Sequence, residues 1–269
     1  MKFIFKLLLV CLDKLEKTNY CTVRNTINLI CKREYKLSYD KFNKAYKKTY
    51  KNGQFIYYSE KKRAVRIHSP YKEMINNLIY SYCLENITFN KGDVIIDCGA
   101  NIGELGLYFS QQNFDIQYIG FEPSIKEYLA CKINHPNSEI LNIGLWNEKK
   151  ELTFYVKSDT ADSSLFEIED FNNIETIKVE RLDDVINQKQ IKLIKLLKID
   201  AEGAEPEILI GANKLLRKIK YISVDVGPER GLLQESTANE TKEILFNNNF
   251  ELINQNLERK SILFENKNI

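Results

Sequence analysis

At 269 residues, 43% hydrophobic and 28% charged, the chain is globular in composition, which excludes a fibrous or wholly disordered protein and leaves room for one or two domains. Net charge is only +2, but residues 1–90 hold 18 Lys/Arg against 7 Asp/Glu, and residues 91–269 hold 21 against 30. A basic first third suits either an anionic partner (a phosphorylated or acidic glycan, a lipid headgroup, nucleic acid) or a solvated face docking on the acidic remainder.

The first residues, Met1-Lys-Phe-Ile-Phe-Lys-Leu-Leu-Leu-Val-Cys-Leu12, resemble a signal peptide only superficially. Lys6 interrupts the apolar run, no small-x-small site follows, and ~18 apolar residues would be needed to span a bilayer. The expectation is a helix packed on the body or lying on a membrane surface, in a cytoplasmic protein that is at most peripheral at the inner membrane. Six cysteines, at positions 11, 21, 31, 83, 98 and 131, form no CxxC pair, which favours a reducing compartment. Cys98 and Cys131 fall in apolar stretches and read as small buried hydrophobes.

Residues 1–50 read as helical, with Lys and Tyr scattered and no Gly or Pro. Asn52-Gly53 is a turn, and Gln54–Tyr58 with Arg63–Ile67 reads as a hairpin. Its His68 is read as structural. Tyr71 to Cys83 places Met74, Leu78, Ile79 and Cys83 at helical spacing. The first domain is therefore expected over residues 1–88, as a basic α+β extension, and the second over 89–269.

From residue 93 strands and helices alternate. Val94-Ile-Ile-Asp-Cys98, Ile116–Glu122, Glu139–Ile143, Leu196–Asp200 and Tyr221–Asp225 are apolar strands. Helices open at Glu104, after Pro123-Ser124, and at Ala204, the last running to Lys218 with Lys214, Arg217 and Lys218 in its final turn. Leu152–Val156 and Thr176–Val179 read as inserted antiparallel strands. Thr237-Ala-Asn-Glu240 fits a capping box for a helix to about residue 248. Phe250–Ile253 and Ser261–Phe264 close as an antiparallel pair. Apolar strands alternating with helices predict a mostly parallel sheet covered on both faces, an α/β Rossmann-like fold.

Asp97-Cys-Gly-Ala-Asn-Ile-Gly103 leaves a strand and opens a helix. Gly99 and Gly103 permit a tight turn and a close backbone approach to a ligand. A dinucleotide site requires G-x-G-x-x-G, and from Gly99 the required positions hold Asn101 and Glu104. Asp97 and Glu104 flank the turn and are expected to repel a pyrophosphate. S-adenosylmethionine, with an ammonium, a sulfonium and no phosphate, fits better. Glu122 ends the second strand, where a carboxylate accepts from both ribose hydroxyls.

These stretches resemble the FkbM family of class I methyltransferases. The matching residues are Val94–Gly103, Gly120-Phe-Glu-Pro-Ser124, Leu197-Lys-Ile-Asp-Ala-Glu-Gly-Ala-Glu205, and Ile208, Leu209 and Gly211 in the helix that follows. The resemblance covers about residues 90–256. It implies a seven-strand sheet with one antiparallel strand, S-adenosylmethionine as cofactor, and methyl transfer to a hydroxyl of a sugar, surface glycan, glycolipid or natural product. Asp97, Gly99, Ala100, Asn101 and Gly103 would then contact the methionine end. Glu122, beside Pro123, would hold the ribose, and Asn142 would lie near the adenine.

Removal of the hydroxyl proton calls for a general base. Asp200, Glu202 and Asp225 are the candidates, three carboxylates expected to raise one another's pKa at one crevice. Asp200 leads, Glu205 reads as a helix-start residue, and no spacing demands a metal, although Mg²⁺ would suit such oxygens. The inserted stretch 151–185, with Asp159–Leu165, is where the acceptor would be chosen. The alternatives are a methyltransferase acting on protein or nucleic acid and a non-catalytic cofactor-binding module. Asp200-Ala-Glu-Gly203 replaces the Asn/Asp-Pro-Pro-aromatic motif of base and amide N-methylases, which argues against nucleic acid.

Overall fold

A computed structural model describes residues 12, 14–112, 115–157, 159–160 and 162–269. The terminal segment expected on a membrane surface, residues 1–11, lies outside the described residues. The chain forms two compact units, the first ending at Met74 and the second beginning at Ile75. The division falls inside a helix, Tyr71–Ser81, ahead of the boundary expected at 88. Ile79, Tyr82, Cys83, Leu84 and Phe89 belong to the second unit's core.

In the first unit a helix, Lys17–Ile30, is followed by three antiparallel strands: β1 (Tyr35–Asp40), β2 (Ala45–Tyr50) and β3 (Phe55–Tyr58). A continuous helix to residue 50 is therefore not what forms. Tyr35 and Leu37 are buried while Lys36 and Ser38 are exposed, a period of two that commits the segment to a sheet. The Asn25 amide both donates to and accepts from the Leu37 backbone at 2.8 Å, closing the helix on β1. The expected hairpin is also shifted. The turn at Gly53 pairs β3 back onto β2, Tyr46 facing Tyr58, and the residues after it form a short helix, Lys61–Arg66.

Part of the unit's positive charge points inward. Lys48 is 0% exposed, donates to the Ile67 carbonyl at 2.5 Å, and lies 4.2 Å over the Tyr35 ring. Burial pushes its ammonium down to about 8. Lys61 is buried against Glu16. His68 pairs through Nδ1 with the Tyr35 hydroxyl at 2.9 Å, the structural place expected of it.

The second unit carries a seven-stranded sheet. In chain order its strands are β4 (Val94–Cys98), β5 (Gln117–Phe121), β6 (Glu139–Leu141), β10 (Ile194–Ile199), β11 (Ile219–Asp225), β14 (Phe250–Asn256) and β15 (Ser261–Asn266). Their spatial order is β14-β15-β11-β10-β4-β5-β6. β11, β10, β4, β5 and β6 run parallel, and β15 is antiparallel to both its neighbours. Ile96, Leu197, Ile199 and Val224 pack in one core, Ile95, Leu196 and Leu263 in another, so both faces of the sheet are covered. The chain builds β5 and β6 on one side of β4 and then returns to lay β10 on the other. That reversal opens a crevice at the carboxyl ends of β4 and β10.

The inserted strands form their own sheet, β7 (Gly144–Leu145), β9 (Asn173–Glu180) and β8 (Lys150–Val156), with β8 and β9 antiparallel as expected. A hairpin of β12 (Pro228–Arg230) and β13 (Glu235–Ser236) follows β11.

Two helix ends differ from expectation. The helix from Glu205 stops at Gly211, and Lys214 lies beyond it. A side chain at 211 would bring a Cβ to 2.1 Å from the Trp146 carbonyl, and Asp183 captures the Lys214 and Leu215 amides. Thr237 is the N-cap residue of the helix Ala238–Asn247, but no capping box forms. Its hydroxyl donates instead to Glu205 at 2.9 Å. Among the described residues no helix is long and apolar enough to cross a membrane.

Candidate active site

The turn after β4 is stitched to the tip of β5. Gly99 (φ +71°), Asn101 (+54°) and Gly103 (+85°) are left-handed. The Gly99 and Ala100 amides both donate to the Phe121 carbonyl, at 3.0 and 2.9 Å. The Asn101 amide donates to Glu122 Oε2, and the Ser124 amide to Glu122 Oε1, each at 2.8 Å. Glu122 is buried, and burial, with Glu127 close by, pushes its carboxyl up to about 8. Asn142 donates to the Glu122 and Pro123 carbonyls at 2.9 and 2.8 Å, so its amide braces the strand tip that carries Glu122. The turn rests on His135, a residue with no signal in the sequence, whose Nε2 meets the Gly103 carbonyl at 2.7 Å.

Gly99 has no substitute here. A Cβ on it would lie 1.9 Å from the Asp200 carbonyl oxygen, and the backbone is left-handed besides. Gly99→Ala is expected to cost about 1–3 kcal/mol or more, through overpacking and strain, and to abolish cofactor binding. Thermal unfolding and titration with S-adenosylhomocysteine read both effects, and wild-type values in both would show the contact to be slack.

Asp97 is not placed as its position in the turn suggested. It faces Lys198 across adjacent strands, is 1% exposed, and is spent inside the sheet. Lys198 Nζ lies 2.9 Å from its carboxylate, and the Tyr118 hydroxyl donates to it at 2.6 Å. Lys198 also donates to the Gly99 carbonyl at 2.8 Å. The buried pair therefore locks the turn from beneath, and Asp97 does not itself offer a charge to a ligand. Lys198, held by Asp97 and by carbonyls, likewise offers no ammonium to a phosphate.

At the other end of the crevice four carboxylates gather. Asp200 follows β10, and its Oδ2 accepts from the Tyr82 hydroxyl at 2.6 Å and from Arg259 at 2.9 Å. Asp225 ends β11, fully buried, with Arg259 Nε at 2.9 Å and the Gly227 amide at 3.0 Å. Asp200, Asp225 and Glu229 each offer an oxygen within 4.8 Å of the others. Glu202, left-handed at φ +51°, has no hydrogen-bond partner for its carboxylate among the described residues.

The expected mutual rise in pKa holds for Glu202 and Asp225, two of the three candidates, and extends to Glu229. Burial, then the Asp200 charge, pushes Glu202 up to about 10 and Asp225 to about 6. Burial and Asp225 push Glu229 to about 8. Asp200 departs from the expectation. Burial would raise it, but Lys198 and Arg259 hold it below the usual carboxylate range, which makes it a weak base. Glu205 is structural: it accepts from the Ala201 and Gly203 amides at 3.1 Å and shapes the turn that carries Glu202.

The insert and the hairpin close on this turn. Ser164 donates to the Glu202 carbonyl at 2.7 Å. Arg230 pairs with Glu207 at 2.5 Å, donates to the Gly203 carbonyl at 3.2 Å, and covers the Phe166 ring at 4.3 Å. Tyr82, Glu229 and Arg259 were not evident as site residues from sequence. Lys198 left a signal, a lysine set between Leu197 and Ile199 in a largely apolar strand, which burial obliges to find a carboxylate.

The Methyltransferase FkbM domain matches residues 97–252, more than half of the chain. The chain belongs to the FkbM methyltransferase family. The 31-O-demethyl-FK506 methyltransferase FkbM of Streptomyces tacrolimicus is 24% identical over 192 residues, 58% of this chain and 74% of that protein. The 2-O-methyltransferase NoeI of Sinorhizobium fredii is 21% identical over 148 residues, 48% of this chain and 61% of that one. AMB antimetabolite synthetase AmbE of Pseudomonas aeruginosa is 26% identical over 224 residues, which are 68% of this chain but only 10% of AmbE.

The FkbM domain is a methyltransferase of the S-adenosylmethionine-dependent class. The residues present fit that cofactor. Each Glu122 oxygen accepts one backbone N–H and keeps capacity for a ribose hydroxyl, while the cation beneath the turn is already neutralised.

Proposed function

We propose that this chain methylates a hydroxyl group on a sugar, a surface glycan, a glycolipid or a natural product. The observation that carries the reading is Glu202, a half-buried carboxylate without a hydrogen-bond partner among the described residues, beside the carboxyl tip of β10. A hydroxyl, unlike an amine, must lose its proton as it is methylated, and a carboxylate of raised pKa is suited to take it. Two relatives named for methylation at oxygen support the same chemistry.

S-adenosylmethionine, when bound, supplies a methyl carbon already activated by its sulfonium. The chain's own work is alignment, to within ~3–3.5 Å, and removal of the proton. Glu122 would hold the ribose, with Asn142 fixing the strand tip that carries it. The turn from Gly99 through Ala100 and Asn101 to Gly103 would carry the methionine end, and Asp97, through Lys198, keeps that turn in shape from behind. Glu202 takes the hydroxyl proton, Asp200 stays ionised and orients the acceptor, and Asp225 supports Asp200. Ser164 and Phe166 from the insert, with the β12–β13 hairpin, form the wall against which the acceptor is chosen.

The test supplies S-adenosylmethionine labelled in the methyl group to a panel of glycosides, polyols and glycolipid fragments, with primary amines as the contrasting arm. Label in alkali-stable ether linkage is the expected result. Label confined to the amines would overturn the reading.

A further inference from the structure

The carboxylates at the tips of β10 and β11 already hold a cation belonging to the chain. Oxygens of Asp200, Asp225 and Glu229 within 4.8 Å of one another make a hard-oxygen cluster of the kind a divalent ion takes. Arg259, in the turn between β14 and β15, reaches into it from outside the parallel sheet. Its Nη2 lies 2.9 Å from Asp200 and its Nε 2.9 Å from Asp225. One planar guanidinium thus ties together two strand tips, a geometry that a lysine's single ammonium reproduces poorly.

The arginine is held for this contact. Its own backbone amide, like that of Glu258, donates to the Asn256 side chain at 3.0 Å, which pre-forms the turn. Its guanidinium carbon lies 5.9 Å from the ring centre of Tyr82, whose hydroxyl donates to the same Asp200 oxygen. From β5 to β11 the network reads Tyr118, Asp97, Lys198, Tyr82, Asp200, Arg259, Asp225. The cofactor turn and the acceptor carboxylates are thus joined by one network in which cation and anion alternate.

We propose that Arg259 is a positioning residue that stands in for a divalent cation, tying Asp200 to Asp225 so that the acceptor meets a fixed carboxylate and transfer needs no added metal. The proposal rests on the methyltransferase reading of the site. It also implies that removing the guanidinium leaves a cluster open to a metal ion.

Full-length wild type, Arg259→Ala and Arg259→Lys decide it, with Mn²⁺ alone as the probe. Electron paramagnetic resonance of free Mn²⁺ is expected to show no binding to wild type and one bound ion in R259A, lost again when Asp225→Asn is added. Affinity for S-adenosylhomocysteine is expected to stay within a few-fold throughout. On an acceptor identified by the label assay, R259A is expected to lose at least ten-fold in kcat with little change in KM for S-adenosylmethionine. Millimolar guanidinium is expected to restore part of that rate, and R259K to fall between.

Mn²⁺ bound by wild type at this cluster, wild-type transfer abolished by EDTA, or an unchanged kcat in R259A would each overturn the proposal. If R259A does not fold, R259K and guanidinium rescue of Arg259→Gln decide it by the same readings. The Mn²⁺ reading needs no acceptor, so it stands apart from the hydroxyl assignment: label found only on amines would remove that assignment and leave the role of Arg259 to be read.

Discussion

Replacing Glu202 with glutamine is expected to lower turnover by about 10²–10⁴-fold while leaving cofactor affinity within a few-fold. The amide keeps the shape of the side chain and cannot accept the proton. Asp200 does not take over, because Tyr82 and Arg259 both donate to its Oδ2, its Oδ1 is buried, and the flanking cations hold its pKa low. Glu202 is the reverse case, pushed up to about 10 by burial and by the Asp200 charge. Positive charge brought into the crevice lowers that value toward the working pH. Wild-type turnover is therefore expected to rise with pH across the neutral to alkaline range, and the residual rate of E202Q to be flat there.

The same shift fixes a sign for stability. The carboxyl has a higher pKa folded than unfolded, so its contribution is whole below about 4.5 and is lost as pH climbs toward about 10. E202Q should then melt at a higher temperature than wild type at pH 8 and at the same temperature near pH 4. A variant that loses activity together with stability at pH 8 would mark Glu202 as structural and shift the proton to Asp225.

The parallel sheet was readable because burial on both faces demands mostly apolar runs, even where Asp97 and Lys198 interrupt them. Val94–Cys98 and Leu196–Asp200 have few other ways to fold, and the glycines between strand and helix announce the turns. The first unit hid its strands because its interior is built from tyrosines. Tyr35, Tyr46, Tyr50 and Tyr58 are buried, and Lys48 among them breaks the polar alternation that marks a strand. Treated as polar, these residues leave no apolar period, and the segment defaults to a helix.

The site was legible where chemistry and backbone coincide and hidden where it depends on distant pairing. Gly99, Glu122, Asp200 and Glu202 sit at strand ends that the sequence marks. Arg259 comes from a polar turn near the end of the chain, and nothing local distinguishes it from Lys260 beside it. Asp97 was found but given the wrong orientation, since its partner Lys198 becomes its neighbour only when β10 is laid against β4.

That partnership carries the second large effect. Lys198→Met is expected to destabilise the second unit by about 3–5 kcal/mol, the cost of leaving a buried carboxylate without its counter-ion. Asp97 is 1% exposed and Lys198 only 3%, so water cannot take the place of either partner. Burial alone would lower the lysine's pKa, but Asp97, Tyr82 and Asp200 outweigh it and hold the ammonium above its ordinary range. The double variant Asp97→Asn with Lys198→Met removes both charges and is expected to recover most of the loss, because the amide still accepts from Tyr118 and no lone charge remains. Urea unfolding of the four proteins gives the coupling energy directly. Recovery of fold without recovery of cofactor affinity is also expected, since the Gly99 carbonyl loses the ammonium that holds the turn down. A cost below about 1 kcal/mol for Lys198→Met alone is the value of an exposed ion pair and would contradict the burial on which the locked turn depends.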